Sequence, residues 1–328
     1  MTKAFVTGAT GCVGANVVAA LLQRGYDVVA LQRTTSSLDA LEGLNAEMVV
    51  GDILEPGTLI PAMEGCDLVF HVAAVSDYWR TPSDVVYRVN VEGTRNVLGV
   101  AGRVGVERLV YTSSVAALGV PQPGEMLDES SEFNREPKSF PYGHSKVLAE
   151  DVVHEAIQDG LDAVIVNPAG VMGARDVNFI GGSVIREVQR GISLIAPPGG
   201  LNWIDAETVG LGHVLAAERG TTGERYLLGG ENLTHRRTEQ IVAGVVGGRA
   251  PVVTLPGWVM SVLALLVDGF NAVWPGTPPF SGGQVRKSSE TLYCDITKAQ
   301  EELDLPCTPF RTAVERAYGW YREHGYLT

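Results

Sequence analysis

Residues 5–14 read FVTGATGCVG and carry the strongest fold signal in the chain. The apolar run that leads into it, Lys3 to Thr7, has the length and composition of a buried β-strand. Val13 to Leu22 carries apolar residues at helical spacing and stops at Gly25. A strand that feeds a helix through closely spaced glycines brings bare N–H groups to a helix N-terminus, which favours a pyrophosphate. The spacing is G-x-x-G-x-x-G rather than G-x-G-x-x-G, but its place in a βαβ-sized unit predicts a dinucleotide site; the alternative is a tight turn without a ligand.

The composition is that of an ordinary globular protein, with 328 residues, 45% of them hydrophobic and 19% charged. A net charge of −13 disfavours nucleic acid and anionic membranes as partners. The four cysteines lie far apart and form no C-x-x-C pair, which favours a reduced, cytoplasmic setting. We expect no signal peptide, since the first strand starts at about residue 3, and no metal site, since His and carboxylate clusters are missing.

Short apolar runs recur along the chain and alternate with helical patterns. The predicted strands are 3–7, 27–32, 46–50, 67–72, 107–112, 163–166 and 225–229, and the predicted helices are 13–22, 80–102, 142–157, 206–219 and 310–324. This alternation predicts an α/β fold, a Rossmann-type doubly wound parallel sheet with the ligand beyond the carboxyl ends of its strands.

The alternation weakens after Pro168, which predicts a smaller, interleaved C-terminal substrate domain. We expect residues 1–167, with about 203–230, to form the dinucleotide-binding domain, and residues 168–202 and 231–328 to form the substrate-binding domain.

Two further segments stand out. Gly119 to Pro141 is polar and rich in proline, which predicts a long surface loop of the kind that often closes over a site. Trp258 to Trp274 is the most apolar segment, but it is too short and too interrupted to cross a bilayer. A helix packed within the C-terminal region is favoured there, and a membrane-surface helix is the alternative.

Residues 142–146, YGHSK, open a predicted helix and bring Tyr142 and Lys146 onto one face. A nearby ammonium would lower the phenol pKa from about 10, so that Tyr142 could exchange a proton with a carbonyl or alcohol near neutral pH. At the end of the fifth strand, Thr112 to Ser114 offers hydroxyls, and Ser114 could bind the same substrate oxygen. The alternatives are a solvated Tyr–Lys pair and two serines in a turn; the coincidence of these elements within a nucleotide-binding sheet favours catalysis.

Seven motifs, in order and at these spacings, make the chain resemble the extended short-chain dehydrogenase/reductase family over nearly its whole length. They are TGATGCVG at 7–14, GDI at 51–53, HVAA at 71–74, VNVEGT at 89–94, YTSS at 111–114, YGHSK at 142–146 and NP at 167–168. The resemblance implies an NAD(P)-dependent enzyme in which Ser114, Tyr142 and Lys146 are catalytic, with Asn90 behind them. Tyr142 and Lys146 would also touch the cofactor, and Lys146 would hold the nicotinamide ribose. The other implied cofactor-binding residues are Gly8, Thr10, Gly11, Cys12, Val13, Gly14, Asp52, Ile53, Ala73, Ala74, Thr112, Pro168 and Val171.

The end of the second strand bears on the choice of cofactor. It reads Gln32-Arg33, without the carboxylate that would bind a ribose 2′-hydroxyl. A guanidinium can instead pair with a 2′-phosphate through two hydrogen bonds. We therefore expect NADP(H) to be preferred over NAD(H); the alternative is that Arg33 is only a solvated side chain.

Within the family, the chain is most similar to the dihydroflavonol-4-reductase and 3β-hydroxysteroid dehydrogenase branch, close to bacterial hopanoid-associated sugar epimerase-type proteins. The family's dehydratases carry Asp-Glu where this chain has Val115-Ala116, and its epimerases carry a diphosphate-binding Arg where it has Leu201-Asn202-Trp203. At 205–208 it also departs from the usual His-Val-Asp-Asp of the branch.

These departures favour a reductase of ketones or aldehydes, or a secondary-alcohol dehydrogenase. A nucleotide-sugar epimerase and a non-catalytic dinucleotide-binding regulator stay open. A rather apolar substrate is suggested by residues that could equally belong to the core: Phe140, Val171, Met172, Phe179 and Trp203. We expect the loop 119–141 and the region 168–205 to cap the pocket. The resemblance also implies a homodimer through the helices at 80–102 and 141–158.

Overall fold

A computed structural model describes residues 2–191, 195–273 and 282–327. The strands are β1 Lys3–Thr7, β2 Asp27–Gln32, β3 Glu47–Val50, β4 Leu68–His71, β5 Arg108–Thr112, β6 Ala163–Pro168, β7 Gly170–Met172, β8 Ile195–Ala196, β9 Gly200–Asp205, β10 Arg225–Leu228, β11 Glu231–Thr234, β12 Val253–Thr254 and β13 Thr291–Leu292. The α-helices are α1 Cys12–Gln23, α2 Pro56–Met63, α3 Ser83–Tyr87, α4 Gly93–Val104, α5 Pro141–Gln158, α6 Ser183–Gln189, α7 Ala206–Arg219, α8 His235–Val246, α9 Gly257–Val273, α10 Gly282–Lys287, α11 Thr297–Leu303 and α12 Phe310–Glu323. Short 3₁₀ turns occupy Asp39–Leu41, Val115–Leu118 and Pro137–Ser139.

The main sheet has seven parallel strands in the order β3-β2-β1-β4-β5-β6-β10. Successive residues of β1 face opposite sides: Ala4 and Val6 pack with α1 and α7, whereas Phe5 packs with α2, α4 and α5. The sheet is therefore covered by helices on both faces, and the α/β fold expected from the sequence is confirmed. The strand order reverses between β1 and β4, and at such a switch point the carboxyl ends leave a crevice for a ligand.

A second, four-stranded sheet comprises β11, β9 and β13, with β7 paired to β9. It packs against α6, α8 and α12 in a separate apolar cluster that includes Trp203 and Tyr321. None of these four strands was predicted from the sequence. Their segments are only two to six residues long and pair with partners far along the chain, so local periodicity carries little signal for them.

The helix predicted over 80–102 is wrong in its start and in its regularity. It begins at Ser83 because Pro82 keeps the residue before it out of the helical region. A π-helical turn, Arg88–Glu92, then connects α3 to α4. This turn directs the Asn90 side chain into the protein, where it is 1% exposed.

The long loop 119–141 is a fixed strap. Leu127, which is 1% exposed, donates its backbone N–H to Tyr293 O at 2.8 Å and accepts from Asp295 N at 2.8 Å. Arg135 forms an ion pair with Glu290 near the end of the strap. The strap is therefore bound at two places to the C-terminal part of the chain.

The apolar helix α9 covers the segment predicted to be helical, and Trp274 lies outside the described residues. Contrary to the expectation of a packed helix, only part of α9 is buried. Met260 and Ala264 are covered, whereas Trp258 and Leu265 are 71% and 68% exposed. Within the described ranges, no helix has the length and apolar character needed to cross a membrane.

Candidate active site

One cavity of about 660 Å³ lies at the carboxyl ends of the main-sheet strands and collects almost every residue predicted for the site. The predicted residues that line it are Gly8, Thr10, Gly11, Cys12, Val13, Gly14, Arg33, Asp52, Ile53, Ala73, Ala74, Thr112, Ser114, Tyr142, Lys146, Pro168 and Val171. Asn90 is the predicted site residue that does not line it. The glycine turn, the Ser-Tyr-Lys set and the end of β2 thus face one space.

The three glycines of the turn are glycine for different reasons. At Gly8, which has φ +67°, a Cβ would stand 2.6 Å from Ala73 N, and at Gly14 a Cβ would overlap Gly8 O. These two glycines therefore permit close backbone packing. At Gly11 the nearest atom to an added Cβ is 3.5 Å away, so a side chain there would occupy the cavity instead.

Gly11 is also the N-cap of α1. The first turn of that helix has no acidic residue, and no side chain caps it. Its N–H groups and the positive end of its dipole therefore face the cavity uncompensated by a carboxylate. This donor set, with open space beside Gly11, fits the pyrophosphate of a dinucleotide.

A buried hydrogen-bonded chain supports the turn from below. His71 Nδ1 lies 2.8 Å from Thr7 Oγ1, and His71 Nε2 lies 2.9 Å from Thr94 Oγ1. Thr7 Oγ1 also accepts from the backbone N–H of Val72 and of Ala73, each at 3.1 Å. Burial lowers the pKa of His71 to about 3, with a smaller contribution from Lys146, so the imidazole is neutral at physiological pH.

Tyr142 lies in an aromatic cluster at the start of α5. Its ring stacks on Tyr78 at a centroid separation of 5.7 Å and meets Phe140 edge-on at 6.2 Å. Burial raises the pKa of the Tyr142 phenol, and a hydrogen bond with Ser114 partly opposes this rise. The phenol therefore keeps its proton at neutral pH.

Lys146 is 2% exposed and is directed at β5. Its Nζ donates to Thr112 O at 2.7 Å and lies 5.1 Å from the centre of the Tyr111 ring. Burial lowers the pKa of Lys146 to about 7. The expectation that Lys146 lowers the Tyr142 pKa is therefore wrong for this structure: the ammonium is engaged by β5, and desolvation dominates both groups.

Asn90 connects the cavity wall to α5. Its Oδ1 accepts from Val75 N at 2.7 Å, and its Nδ2 donates to Val75 O at 3.2 Å and to Ser145 Oγ at 2.9 Å. Ser145 Oγ in turn donates to Tyr142 O at 2.7 Å. Asn90 thus holds residues next to Tyr142 without lining the cavity.

Sequence reasoning missed a buried carboxylate, Glu150, one helical turn beyond Lys146. Glu150 is 1% exposed and accepts hydrogen bonds from Ser113, from Asn167 Nδ2 at 2.9 Å and from Arg225 Nε at 2.7 Å. Its charge raises the pKa of Lys146 against the larger effect of burial. The spacing Lys146 to Glu150 was visible in the sequence, but nothing in it signals Arg225, which lies 75 positions away.

A buried histidine was also missed. His213, on α7, lies with Nε2 2.8 Å from Thr112 Oγ1 and Nδ1 2.7 Å from Val209 O. Burial lowers the pKa of His213 to about 4, opposed by the bond to Val209. Its neutral ring fixes Thr112 at the cavity edge.

At the far end of the cavity, Arg33 is exposed and its backbone N–H donates to Ser36 Oγ at 3.3 Å. Ser36 lines the cavity although the sequence analysis did not select it. Asp52 Oδ1 accepts from Leu54 N at 2.9 Å, which orders the turn after β3. Ile53 lies under this turn at 7% exposure and would clash with any side chain at Gly93.

The predicted apolar substrate residues fall into two groups. Val171 and Trp203 line the cavity, as do Ile180 and Leu201. Met172 is 1% exposed within the small-sheet core, and Phe179 stacks on Tyr321 at 4.3 Å. The region 168–205 therefore contributes to the wall.

The loop 119–141 does not cap the cavity as expected. It supplies no lining residue, because its pairing with residues 293–295 holds it elsewhere. Phe140, at its end, does not line the cavity but packs edge-on against Tyr142. Among the described residues, no group of three His, Cys, Asp or Glu side chains could hold a metal ion.

Comparison with known proteins places this geometry in context. A profile of the NAD dependent epimerase/dehydratase family matches residues 4–229. A Synechocystis sp. protein provisionally named dihydroflavonol 4-reductase is 40% identical over 98% of this chain and 95% of its own length. Sterol demethylase protein B of Methylococcus capsulatus is 34% identical over 98% of this chain and 99% of its own length. The crystal structure of gox2253 matches with a TM-score of 0.88 and 35% identity, and the match covers 100% of both chains.

Proposed function

Since the chain belongs to the extended short-chain dehydrogenase/reductase family, which includes the NAD dependent epimerases/dehydratases, it is an NAD(P)-dependent oxidoreductase. We propose that it is an NADP(H)-dependent reductase of ketones or aldehydes, or the corresponding secondary-alcohol dehydrogenase. The observation that carries the proposal is that Ser114, Tyr142 and Lys146 line the same cavity as the bare N-terminus of α1. Such an arrangement holds a dinucleotide and a proton donor within one enclosure.

A bound nicotinamide cofactor would supply the hydride chemistry. Ser114 and Tyr142 would hydrogen-bond the substrate oxygen, and Tyr142 would donate the proton when a carbonyl is reduced. Burial raises the pKa of Tyr142, so the phenol is in its acid form at neutral pH. Lys146 would bind the nicotinamide ribose from its position against Thr112.

The preference for NADP(H) rests on the end of β2. Arg33 is exposed at the cavity edge, Ser36 adds a hydroxyl beside it, and the strand ends in Gln32 rather than a carboxylate. A guanidinium and a hydroxyl suit a 2′-phosphate. Arg33→Ser should weaken NADPH binding about 10- to 100-fold and leave NADH binding nearly unchanged, as measured by fluorescence titration. Equal losses for both cofactors would contradict this assignment.

An apolar carbonyl or alcohol is the proposed substrate class. Val171, Ile180, Leu201 and Trp203 form an apolar wall on the substrate side. Similar proteins are named for a dihydroflavonol and for a sterol, which supports this class. We further propose the domain division 1–167 with 203–230 against 168–202 with 231–328, a homodimer through the segments 80–102 and 141–158, and a cytoplasmic location.

Tyr142→Phe tests the mechanism. With a panel of apolar ketones and aldehydes followed at the nicotinamide absorbance, turnover should fall at least 100-fold while NADPH affinity is kept. Tyr87→Phe is the matched control, because Tyr87 does not line the cavity and its hydroxyl lies 3.0 Å from His144 Nδ1. Unchanged turnover of Tyr142→Phe would overturn the mechanism. Purified protein that holds NAD tightly and gives no net turnover would instead favour an epimerase.

A further inference from the structure

The segment that follows β7, residues 174–182, forms one wall of the cavity, and we call it the wall segment. Its Asp176 and Asn178 line the cavity. Among the residues that the structure describes, three other than glycine have a positive φ, and two of them, Arg175 at 71° and Phe179 at 53°, lie in this segment. Such a backbone conformation is unfavourable for a residue with a Cβ, so the surroundings must hold the segment in place.

One end of the wall segment is bonded to the first turns of α1. Asn16, which is 2% exposed, donates from Nδ2 to Ala174 O at 3.1 Å and to Cys12 O at 2.8 Å. Cys12 itself lines the cavity at the N-terminus of α1. The wall segment therefore begins beside the helix end that suits the pyrophosphate of a dinucleotide.

Arg175 connects the wall segment to a second part of the cavity wall. Its Nη1 donates to Ala40 O at 2.7 Å and to Glu42 O at 3.1 Å, in and directly after the 3₁₀ turn that follows β2. The chain that leads from β2 into this turn includes Arg33 and Ser36, which line the cavity. Because the guanidinium is charged, these bonds are stronger than bonds between neutral groups. Arg175 therefore joins two parts of the chain that both contribute to the cavity.

The C-terminal helix α12 and the residues after it brace both parts of the wall. Tyr321 donates its hydroxyl to Asp176 O at 3.0 Å, and its ring stacks on Phe179 at a centroid separation of 4.3 Å. Tyr326 donates its hydroxyl to Asp39 Oδ2 at 2.7 Å. The same end of the chain thus contacts the wall segment and the turn after β2, and it supports the bridge that Arg175 makes between them.

We propose that Arg175 is a positioning residue for the dinucleotide: its bonds to Ala40 and Glu42 hold the wall segment closed over the cavity, and they break when the dinucleotide leaves. Movement of a loop or lid limits ligand release in many enzymes. The bonds join protein to protein and involve no part of the cofactor, so they should act on NADPH and NADH alike. The inference rests on the proposed function only in that a dinucleotide occupies this cavity; it depends neither on the substrate nor on the preference for a 2′-phosphate.

Displacement of the bound dinucleotide tests the proposal. Protein loaded with NADPH or NADH is mixed in a stopped-flow instrument with excess NADP⁺ or NAD⁺, and the change in the fluorescence of the reduced nicotinamide gives the dissociation rate constant. Arg175→Met keeps an unbranched side chain but removes the donors, so it should raise this constant about tenfold or more for both dinucleotides. Arg175→Lys keeps the charge with fewer donors and should give an intermediate value. Tyr326→Phe, which removes an exposed bond to Asp39, should raise the constant about two- to fivefold.

Arg24→Met is the matched control. Arg24 directly follows α1, at the end away from the cavity, where it forms an ion pair with Glu218 at 2.8 Å, and it does not line the cavity. The dissociation rate constants of this variant should equal those of the wild type. The association rate constants of Arg175→Met should not fall, whereas a variant with a misfolded cavity would bind the dinucleotides more slowly.

The outcomes separate this inference from the proposed function. Unchanged dissociation rate constants for both dinucleotides in Arg175→Met would overturn the inference. An increase for NADPH alone would also overturn it, because it would assign Arg175 to the 2′-phosphate. Slower association in both Arg175→Met and Arg175→Lys, without faster dissociation, would show that the residue only supports the fold. Wild-type protein that binds neither dinucleotide would instead refute the proposed function, and this inference with it.

Discussion

The three glycines of the turn have different structural roles. Gly8 and Gly14 make room for backbone, whereas Gly11 makes room for whatever enters the cavity. A motif shows only that glycine is present; the distance from each Cα to its surroundings shows what a side chain would displace. The two kinds of glycine should therefore respond differently to substitution.

Gly11→Ala should leave the free energy of unfolding within about 0.5 kcal/mol of wild type but weaken dinucleotide binding at least about tenfold. Gly14→Ala should lower the free energy of unfolding by about 2 kcal/mol or more, because its methyl group overlaps Gly8 O. Urea denaturation and cofactor titration of both variants make the comparison. Similar losses of stability in the two would refute the distinction.

Glu150, four residues after Lys146, affects the pKa of the Lys146 ammonium. Burial lowers the pKa of Lys146 to about 7, and Glu150 acts in the opposite direction. We expect NADPH affinity to fall as pH rises through about 7, where the ammonium loses its charge. Glu150→Gln should move this fall to lower pH.

The pH profile of the NADPH dissociation constant measures the effect. Glu155→Gln is the control on the same helix, because Glu155 is exposed in its ion pair with Arg95. A profile that does not move in Glu150→Gln would show that Glu150 only holds Arg225 and Ser113 in place.

Among the secondary-structure elements, the π-helical turn Arg88–Glu92 between α3 and α4 connects these helices to the site through Asn90. An extra residue in the turn rotates Asn90 inward, where it bonds Val75 and Ser145. A regular helix through 88–92 would shift the side chains that follow. The turn is thus the local feature that joins the wall of the cavity to the first turn of α5.

Asn90→Ala should lower the free energy of unfolding by about 1–3 kcal/mol, because it removes the side chain that accepts from the part-buried N–H of Val75 and donates to the buried Ser145. Asn96→Ala on α4, which removes a single hydrogen bond from Asn96 to Ile53 O, should lower the free energy of unfolding by less. Chemical denaturation measures both. Equal costs would mean that the turn is not organised by Asn90.

At the scale of the whole molecule, the protein buries neutral histidines on both faces of the main sheet. The pKa of His71 is lowered to about 3 and that of His213 to about 4, chiefly by burial. The unfolded chain binds these protons near pH 6.5, so between about pH 4 and 6.5 it holds more protons than the folded protein. The free energy of unfolding should therefore rise with pH through this window, and the contribution of the two histidines should reach its full value above it.

We expect the free energy of unfolding at pH 5 to be lower than at pH 7 by on the order of 1–2 kcal/mol for each histidine. His213→Gln should reduce the difference by the share of His213, although it will also lower stability at pH 7. Urea denaturation of wild type and variant at both pH values isolates that share. An unchanged pH difference in the variant would show that other groups titrate instead.

The amino-acid sequence alone predicts the parallel strands of the main sheet, the glycine turn and the catalytic candidates Ser114, Tyr142 and Lys146. A local sequence pattern signals each of these features: an apolar run, a glycine spacing or a helical repeat. Their shared cavity follows from the rule that parallel strands end at one edge.

The partners of these residues, in contrast, depend on the tertiary structure. Glu150 bonds to Arg225, and His213 bonds to Thr112, across long stretches of chain. The second sheet likewise joins β9 to β7, β11 and β13. Distant neighbours also decide the burial that lowers the Lys146 pKa, the exposure of Trp258 and Leu265 on α9, and the pairing that keeps the strap out of the cavity. Burial and pairing are properties of packed surfaces, and a local pattern of residues cannot specify what packs against it.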